Sequence, residues 1–541
     1  MKSTNLFSYK NILLLTIAFV SGLLMSPKWT VAIATWIHYT VLLRFYRDNN
    51  YKGFLLSIPV LAGSSILAQL EVIPMGLMPI SIMLLIGSVV GLLPYIVDKF
   101  VHSRLPTWAT TLIFPSFHTA FCYFMDKGPQ GTWSNMAYTQ YDYLMLMQIT
   151  SVVGIYGINF LIFWFASFGN YCYEKWRQNQ PIAIVSLIMP FTLLIVLAFG
   201  INQLNTTPKT INKATMATIT LDNTAPMEAM YQSETGKVIE IPVGLSQSDP
   251  ILVEIQKGML AFMANPTSDR FAPVYRQLDK VLEKYSLATK EAAEKGAKIV
   301  TWSEAAILNV KSREKDYEKK VALLADELDM YLFFPTAVFH PEKVGKERVF
   351  IENKVLTFDP EGNLVNTYFK NIPIMGVEPS FPGDGTIPVI ETPFGNLSPI
   401  ICYDADHPQL IAQISKQNTD MLVVPTGDWK AISPYHTYMA AVRCIENGVS
   451  MIKSTSNGMS AFVDDKGRIL ASYDYFDEAS VKMIIQEMPV QSSDTLYAVT
   501  APMFILANFL LSGLFLLWAI IRFFVNRMKS VVPNKKELAP A

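Results

Sequence analysis

The sequence predicts a multi-span α-helical membrane region, a layered α/β domain outside the membrane, and one final membrane helix. Three observations support this fold class. Of the 541 residues, 51% are hydrophobic and only 16% are charged, which is too apolar for an ordinary soluble protein. The N-terminal third is a series of long apolar runs separated by short polar loops. Between about 203 and 498, charged residues become more frequent and the apolar runs shorten to strand length.

Seven apolar runs in the N-terminal region are each long enough to cross about 30 Å of hydrocarbon as a helix. The first run resembles a signal peptide, but more membrane sequence follows it, so we interpret it as a retained helix. The second and fifth runs contain His38 and His118. An eighth run covers about 499–525, after the α/β domain. The seven runs are 9–26, 29–46, 53–71, 75–97, 106–125, 142–170 and 181–202.

The basic residues of the loops predict the orientation in the membrane. With a cytoplasmic N-terminus, the outside loops among the seven spans carry only Lys28 and Lys127, which is a strong positive-inside bias. An odd number of spans then places the chain after Ile201 outside the cytoplasm. The basic residues on the inside are Lys2, Lys10, Arg44, Arg47, Lys52, Lys99, Arg104, Lys175 and Arg177, and the C-terminal tail adds Arg522, Arg527, Lys529, Lys535 and Lys536.

The outer domain alternates predicted strands with predicted helices, which favours a layered α/β domain with its own core. Polar, glycine-bearing turns at 359–363 and 464–467 are typical of hairpins. The stretch 223–270 fits no element and is interpreted as a long excursion. The predicted strands are 216–221, 297–302, 330–335, 354–358, 397–401, 421–425, 450–454 and 460–464, and the predicted helices are 272–295, 314–327, 408–417 and 434–447.

The predicted organisation has four segments. A transmembrane domain of about seven helices occupies 1–202, and the extracytoplasmic catalytic domain occupies 203–498. A transmembrane helix follows at 499–526, and a basic cytoplasmic tail ends the chain at 527–541.

Several classes of function receive no support from the sequence. The net charge is −1, so there is no global attraction to nucleic acid. The four cysteines occur without CxxC spacing, so neither a disulfide framework nor a zinc site is indicated. His407 and His436 lack a carboxylate at ligand spacing. No nucleotide or flavin motif is evident, and we predict neither a metal nor a cofactor.

Three stretches of the outer domain each end a predicted strand with a reactive side chain: Glu304, Lys370 and Cys402. Each has a plain structural alternative. Glu304 could cap a helix, because Ala305 and Ala306 follow it. Lys370 could be a solvated surface charge. Cys402 could be a small buried hydrophobe, as most free cysteines are.

Together, these three residue types can form a complete acyl-transfer site. A carboxylate beside a thiol takes its proton and later returns it to a leaving or attacking group. A lysine cation favours the thiolate and stabilises the oxyanion of a tetrahedral intermediate. The cysteine forms a thioester, which divides one difficult acyl transfer into two easier steps. The sequence therefore predicts Glu304, Lys370 and Cys402 as catalytic residues.

The motifs Trp302-Ser303-Glu304, Tyr368-Phe369-Lys370-Asn371 and Cys402-Tyr403-Asp404 give the outer domain a resemblance to the nitrilase (carbon–nitrogen hydrolase) superfamily. With its membrane segments, the whole chain resembles the apolipoprotein N-acyltransferase family. The resemblance implies an α-β-β-α sandwich for the outer domain and a Glu-Lys-Cys triad in this chain order. The run from Arg443 to Gly448 and the segment 454–458 also follow the family pattern.

The resemblance implies supporting roles for five further residues: Glu378, Tyr403, Asp404, Trp429 and Asn457. The chain departs from the family pattern in four places, which fall around the predicted substrate pocket. One is the stretch 223–270, which is longer than the family's corresponding link. Asp404 stands where the family has Glu, the segment 372–378 lacks the family's His and Pro-Phe-Gly-Glu run, and 426–430 carries only part of the family's Asn-Asp-x-Trp-Phe-Gly segment.

The implied reaction is a ping-pong transfer. Cys402 takes an acyl chain from a phospholipid, and the α-amine of a diacylglyceryl-cysteine apolipoprotein then discharges the thioester. The implied location is the bacterial cytoplasmic (inner) membrane, with the catalytic domain on the periplasmic side and no nucleic-acid partner. Two alternatives stay open at this point: a membrane-tethered amidase with the same triad, since a fold does not fix a function, and a non-catalytic transporter or scaffold.

Overall fold

In the computed structural model, a bundle of helices carries a two-sheet α/β domain, and the chain ends in a long apolar helix that packs against the bundle. This architecture confirms the predicted fold class. The structure describes residues 6–105, 107–206, 212–222, 224–245, 249–477 and 481–531. The predicted basic tail beyond residue 531 lies outside the described residues.

Within the described part of the chain, ten α-helices precede the first strand. These helices are largely apolar and pack together as a bundle. Several polar residues, including His118 and Asn159, are buried between neighbouring helices. The helices are α1 (Tyr9–Leu23), α2 (Ala32–Asp48), α3 (Tyr51–Gln69), α4 (Leu77–Val90), α5 (Leu93–His102), α6 (Ile113–Met125), α7 (Leu144–Met147), α8 (Thr150–Val153), α9 (Ile155–Arg177) and α10 (Ile188–Asn205).

Among the residues that the structure describes, four helical stretches are long and apolar enough to cross a membrane: Tyr51–Gln69, Leu77–His102, Ile184–Asn205 and Tyr497–Met528. A fifth is reached if the bent pair Leu144–Val153 and Ile155–Arg177 is one span. The predicted first, second and fifth spans correspond to α1, α2 and α6, which are only 15, 17 and 13 residues long. Because α2 and α6 pack against α9, they hold polar side chains inside the bundle. The count of eight spans stays a prediction.

The predicted sixth span, 142–170, is not one straight helix. The chain bends by 116° between α8 and α9, at Gly154. Gly154 has φ +67°, and a Cβ at this position would lie 2.8 Å from a ring carbon of Tyr497. Glycine adopts this conformation without the steric cost that other residues incur. The bend turns the N-terminus of α9 toward the α/β domain, where the backbone N–H of Ile155 donates to Glu446.

The α/β domain contains two sheets that pack face to face, with contacts between β1 and β10 and between β2 and β9. The seven-stranded sheet has the order β13-β1-β2-β4-β5-β6, with β3 paired to β4, and the six-stranded sheet has the order β12-β11-β10-β9-β8-β7. The strands are β1 (Asn212–Leu221), β2 (Ile299–Trp302), β3 (Ile307–Val310), β4 (Tyr331–Phe339), β5 (Ile351–Phe358), β6 (Leu364–Phe369), β7 (Ile390–Thr392), β8 (Gly395–Pro399), β9 (Met421–Gly427), β10 (Ser450–Ser456), β11 (Met459–Val463), β12 (Ile469–Asp474) and β13 (Val481–Val490).

Helices cover the outer face of each sheet, which gives the four-layer sandwich. α13 (Ala272–Glu294) and α14 (Glu314–Leu328) cover the seven-stranded sheet, and α16 (Tyr435–Asn447) covers the six-stranded sheet. The other described helices after β1 are α11 (Thr224–Thr235) and α12 (Ile251–Ala264), which pack against each other, the short α15 (Pro408–Ile411), and the terminal α17 (Tyr497–Val531), which packs against the bundle. α13 buries Leu278, Leu282 and Tyr285 on one stripe, as an amphipathic helix on a sheet requires. α16 lies between the second sheet and the helical bundle, so this helix connects the two parts.

The structure differs from the prediction at several elements. The predicted helix 408–417 is only α15, with a 3₁₀ turn at Ile414–Lys416. The stretch 223–270 is not without structure, since it contains α11 and α12. The predicted strand ranges do not include β3, β6, β7, β12 or β13. β6 lies at a sheet edge, where Tyr368 is its one buried residue and Leu364, Val365 and Phe369 are exposed, so its sequence lacks the alternation of a half-buried strand.

Candidate active site

Cys402 lies just beyond the end of β8, at the start of a tight turn. β8 ends at Pro399, and a 3₁₀ turn covers Cys402–Asp406. Cys402 itself has φ +48°, a left-handed conformation that is uncommon for a residue with a side chain. Such strain persists where surrounding contacts hold the backbone, and it is frequent at functional sites. The Cys402 thiol is buried, and its Sγ donates to the carbonyl oxygen of Gly427 at 3.8 Å.

Glu304 follows β2 by two residues, and its carboxylate is held by three donors. Oε1 accepts from Lys370 Nζ at 3.0 Å and from Asn353 Nδ2 at 2.7 Å. Oε2 accepts from the backbone N–H of Gly427 at 2.7 Å. The residues after Glu304 form a turn and then β3, so no helix begins here. The helix-cap interpretation of Glu304 is therefore wrong.

Lys370 follows β6, and its side chain is completely buried. Nζ lies between two carboxylates, 3.0 Å from Glu304 Oε1 and 2.6 Å from Glu378 Oε1. Burial alone would lower the pKa of Lys370, but the attraction of Glu304 and Glu378 outweighs it and holds the pKa well above its usual value. Lys370 is a buried cation at neutral pH, which excludes the interpretation as a solvated surface charge.

The Cys402 thiol is neutral in the resting site. Burial raises its pKa well above the usual value, and the Glu304 carboxylate raises it further, while Lys370 acts in the opposite direction. A neutral thiol beside a carboxylate must lose its proton as it attacks. Gly427 contacts both partners, because its N–H binds Glu304 and its carbonyl accepts from Cys402.

Asp404 joins the turn after Cys402 to the loop after Lys370. Its carboxylate accepts from the backbone N–H groups of Ile401 at 3.0 Å and Ile372 at 2.8 Å, and from the Tyr368 hydroxyl at 2.8 Å. Burial raises the pKa of Asp404 to about 6, against the opposing effects of Lys370 and these donors. The shorter Asp side chain in the Cys-Tyr-Asp segment therefore forms a complete set of contacts with both loops.

The other predicted supporting residues divide into two groups. Glu378 lies in the site, through its ion pair with Lys370. Tyr403 and Trp429 instead contact the helical region: the Tyr403 hydroxyl donates to the Pro129 carbonyl at 3.1 Å, and Trp429 Nε1 donates to the Glu71 carbonyl at 2.9 Å. Asn457 has φ +54° and lines the cleft beside Glu304.

A cleft of about 450 Å³ opens beside Glu304. One wall is formed by Ser303, Glu304, Asp428 and Asn457, near the strand ends. The other wall comes from the stretch 224–259, which contributes mainly apolar side chains. These include Met227, Ile241, Leu252, Ile255 and Met259. The stretch that the sequence left unassigned therefore lines the approach to the site.

Comparison with known proteins identifies both parts of the chain. The family model described as "Apolipoprotein N-acyltransferase N-terminal domain" matches residues 13–168, and "Carbon-nitrogen hydrolase" matches residues 264–495. An apolipoprotein N-acyltransferase from Geobacter metallireducens is 22% identical over 510 residues, which cover 85% of this chain and 87% of the relative. One from Pseudomonas aeruginosa is 26% identical over 246 residues, 41% of this chain and 46% of the relative.

The chain belongs to the apolipoprotein N-acyltransferase family, within the nitrilase superfamily. Among solved structures, an amidase from Nesterenkonia sp. AN1 superimposes with a TM-score of 0.37 at 15% identity, covering 56% of this chain and all of the amidase. The C. elegans NitFhit protein gives a TM-score of 0.36 at 18% identity, covering 52% of this chain and 62% of that protein.

Two residues that hold the site of this N-acyltransferase family member are absent from the sequence-based prediction. Asn353, on β5, donates to Glu304, and Gly427, at the end of β9, contacts both Glu304 and Cys402. An isolated Asn within a strand carries no sequence signal of this kind. Gly427 makes both contacts through backbone atoms, so the residue type at position 427 does not predict them either.

A second charged cluster lies near Cys402, beyond the predicted triad. The Cys402 sulfur and ligand-type atoms of Asp428 and His436 all lie within 4.8 Å of one another, which is the arrangement of a possible metal site. Asp428 is, however, already bonded to His436 Nδ1 at 2.6 Å and lies 3.5 Å from Lys453 Nζ. Two side-chain cations thus already balance the carboxylate that a metal would need.

Proposed function

We propose that this membrane enzyme transfers a fatty acyl chain from a phospholipid, through a thioester on Cys402, to the α-amine of a diacylglyceryl-cysteine lipoprotein. Family membership supports lipoprotein N-acylation, and the single observation that carries the chemical roles is the shared contact of Gly427. Its N–H binds Glu304 and its carbonyl accepts from Cys402. Lys370 binds the same Glu304 carboxylate, which brings all three reactive groups to one point.

The first half-reaction forms the thioester. Glu304 takes the proton from the Cys402 thiol as the sulfur attacks the ester carbonyl of the phospholipid. The carbonyl oxygen becomes an oxyanion, which the buried Lys370 cation stabilises. The ester C–O bond then breaks, and Glu304 returns the proton to the departing alcohol oxygen. The products are a lysophospholipid and an acyl-Cys402 thioester.

The second half-reaction uses the same groups in the reverse order. The lipoprotein α-amine attacks the thioester carbonyl, and Glu304 takes a proton from the attacking nitrogen. Lys370 again stabilises the oxyanion, the C–S bond breaks, and Glu304 returns the proton to the Cys402 sulfur. Glu378 holds Lys370 between two carboxylates, which keeps the cation in place while Glu304 changes its protonation state.

We place the enzyme in the bacterial inner membrane, with the catalytic domain on the periplasmic side. The basic residues Arg44, Arg47 and Lys99 cluster at one end of the bundle, where Arg47 pairs with Asp98 and Arg44 with Glu174. The contacts to the catalytic domain, through Glu71 and Pro129, come from other loops of the bundle. The positive-inside rule assigns the basic end to the cytoplasm. Both lipid substrates are then anchored in the leaflet beside the site.

Intact mass spectrometry of the detergent-purified protein tests the proposal. After incubation with a phospholipid, the wild type gains one fatty acyl mass that is labile to hydroxylamine, and Cys402→Ser and Glu304→Gln do not. Adding a diacylglyceryl lipopeptide discharges the adduct and produces the N-acylated peptide. A matched thermal midpoint for the variants shows that they are folded.

Two outcomes would contradict the proposal. An adduct that persists in Cys402→Ala, which has no nucleophilic atom at this position, places the nucleophile elsewhere. A wild-type adduct that water discharges as fast with the lipopeptide as without it, and with no acylated peptide, favours the membrane-tethered amidase.

A further inference from the structure

A groove between α3 and α5 lies at the end of the helical bundle that is remote from Cys402. Its volume is about 630 Å³. α3 begins at the groove and runs for 19 residues, roughly 28 Å at 1.5 Å per residue, to the loop in which Glu71 contacts Trp429 of the catalytic domain. The groove is therefore about one hydrocarbon thickness away from the contacts of the catalytic domain.

The walls of the groove are apolar and its end is basic. Apolar side chains form the walls: Phe54, Leu55, Ile58, Val89, Leu92 and Ile96. The end is formed by Lys99, Phe100, Ser103 and Arg104, together with Tyr51 at the start of α3, and the exposed Lys52 follows Tyr51 directly. The one acidic residue of the two segments 51–60 and 89–104 is Asp98, and it is fully buried in a pair with Arg47. Two further carboxylates face this end from the neighbouring helices, and each is already paired with basic side chains: Asp48 with Lys10 and Arg44, and Glu174 with Arg44 and His102. Basic residues outnumber the acidic ones, so the end of the groove carries a net positive charge.

Arg104 is held in a fixed position with donors to spare. Its Nη1 donates to the Phe100 carbonyl and to Ser103 Oγ, and its guanidinium lies 4.0 Å from the centre of the Phe100 ring and 5.4 Å from that of Phe523 on α17. Within the described residues, neither Nε nor Nη2 of Arg104 makes a hydrogen bond. A guanidinium with two free donors fits the paired oxygens of a phosphate.

Lys99 serves a different purpose at the same end. Its Nζ donates to the carbonyls of Tyr46, Arg47 and Asn49, at the C-terminus of α2. These contacts fix the floor of the groove against α2, and they complement the negative end of that helix. Lys99 contributes charge, whereas Arg104 and Lys52 are the residues with donors available to a ligand.

We propose that this groove binds one anionic phospholipid of the cytoplasmic leaflet, with its phosphate between Arg104 and Lys52 and an acyl chain along the apolar walls. Basic pockets between membrane helices on the cytoplasmic side are suited to anionic head groups. A zwitterionic head group brings its own cation into this positive end and is disfavoured. Because Arg104 also contacts Phe523, the bound lipid fastens α17 to α5. The groove is separate from the acyl-donor site, and its occupancy does not depend on the proposed chemistry.

Native mass spectrometry of the full-length protein in detergent, titrated with phosphatidylglycerol or phosphatidylcholine, tests the proposal. The wild type is expected to retain one phosphatidylglycerol at several-fold lower lipid concentration than phosphatidylcholine. Arg104→Gln weakens the retention of phosphatidylglycerol by about fivefold, as does Lys52→Gln, in line with the usual contribution of one basic residue at an anionic surface. Arg177→Gln, an exposed basic residue at the same end of the bundle and outside the groove, leaves retention unchanged.

The same samples separate this site from the acyl-donor site. Formation of the acyl-Cys402 adduct at saturating donor is expected to be the same in Arg104→Gln as in the wild type. Phosphatidylglycerol should also raise the thermal midpoint of the wild type more than that of Arg104→Gln, because a ligand that binds only the folded state stabilises it. Equal retention of the two lipids by the wild type, or equal losses for Arg104→Gln and Arg177→Gln, would overturn the proposal.

Discussion

Two buried charged clusters meet at the end of β9, and they differ in how their protons are held. The first consists of Glu304, Lys370 and Glu378, and it reaches the cleft, with the Glu378 side chain 22% exposed. The second consists of Asp428, His436 and Lys453, whose side chains are 0–3% exposed. Both contain lysine and carboxylate at ion-pair distance, so charge type alone does not separate a catalytic cluster from a structural one.

The two clusters differ in whether their carboxylate can accept a proton from a neighbouring reactive group. Glu304 accepts from a backbone N–H, an amide and an ammonium, and none of these donors gives up a proton readily, so the carboxylate is available as a base for Cys402. Asp428 instead binds the imidazole of His436 at 2.6 Å, and its partners are fully enclosed. We infer that the first cluster moves protons, whereas the second sets the charge and the shape of the backbone at Asp428, next to Gly427.

The largest expected effect separates Lys370 from Lys453. Lys370→Met should lower acyl transfer by about 10³-fold per folded molecule, since a preorganised oxyanion donor contributes roughly that factor. Lys453→Met leaves Asp428 with one cation fewer and should destabilise the fold by about 3 kcal/mol or more, as the loss of one partner of a buried pair does. Its activity per folded molecule should stay within about tenfold of the wild type, because Lys453 contacts Asp428, Thr437 and Thr455 but none of the reactive groups.

The measurement is single-turnover acyl transfer, normalised to the folded fraction by the near-ultraviolet spectrum. The comparison breaks down if Lys453→Met loses as much activity per folded molecule as Lys370→Met. In that case the second cluster also takes part in the chemistry.

An intermediate effect concerns the pH dependence of stability. Burial alone would lower the pKa of His436, but Asp428 and Asp406 outweigh it and raise this pKa to about 9. Protonated His436 therefore stabilises the folded state below its unfolded pKa of about 6.5, and this contribution is lost as the pH rises through 9. The loss is on the order of 3 kcal/mol for a pKa difference of this size.

Thermal midpoints in detergent between pH 6.5 and 9.5 measure this contribution. The wild type should lose stability over that range, and His436→Asn should lose much less. His407→Asn is the matched control, because burial lowers the pKa of His407, which is the opposite direction to the shift of His436. An equal alkaline loss in His436→Asn and the wild type would show that His436 carries no stabilising charge.

The two clusters also show which features of the site can be predicted from the sequence. The strand before Glu304 and the strand before Cys402 are apolar runs, and the sequence predicts both ends to within two residues. The left-handed conformation of Cys402 and the contacts of Gly427 could not be predicted, because they join residues that lie 25 and 123 positions apart through backbone atoms. The same applies to Asp428, whose partners come from α16 and β10.

The helical bundle illustrates a different limit. Apolar runs predict that the N-terminal region enters a membrane, but hydropathy does not show that the chain bends at Gly154 or that α2 and α6 are interior helices. A glycine can adopt φ +67° without steric cost, but nothing in the neighbouring sequence indicates that Gly154 does so. Packing against α9, which determines which helices tolerate polar residues, is a property of the assembled bundle.

The smallest expected effect concerns a neutral contact between the same strand end and the bundle. Trp429 follows Asp428 directly, and its Nε1 donates to the Glu71 carbonyl at 2.9 Å. Trp429→Phe removes this donor and keeps an aromatic ring, so it should cost about 1 kcal/mol of stability, the usual net value of one hydrogen bond. Trp176→Phe, at an exposed position outside the interface, is the control and should cost nothing measurable.

Activity distinguishes a joint between the two parts from a substrate contact. If Trp429 only joins the catalytic domain to the bundle, Trp429→Phe lowers the thermal midpoint and leaves KM for the phospholipid unchanged. A raised KM with an unchanged midpoint would instead assign Trp429 to substrate binding in the cleft, which it also lines. Trp429 would then act together with the Glu304 cluster in the reaction, although it is adjacent to Asp428 in the sequence.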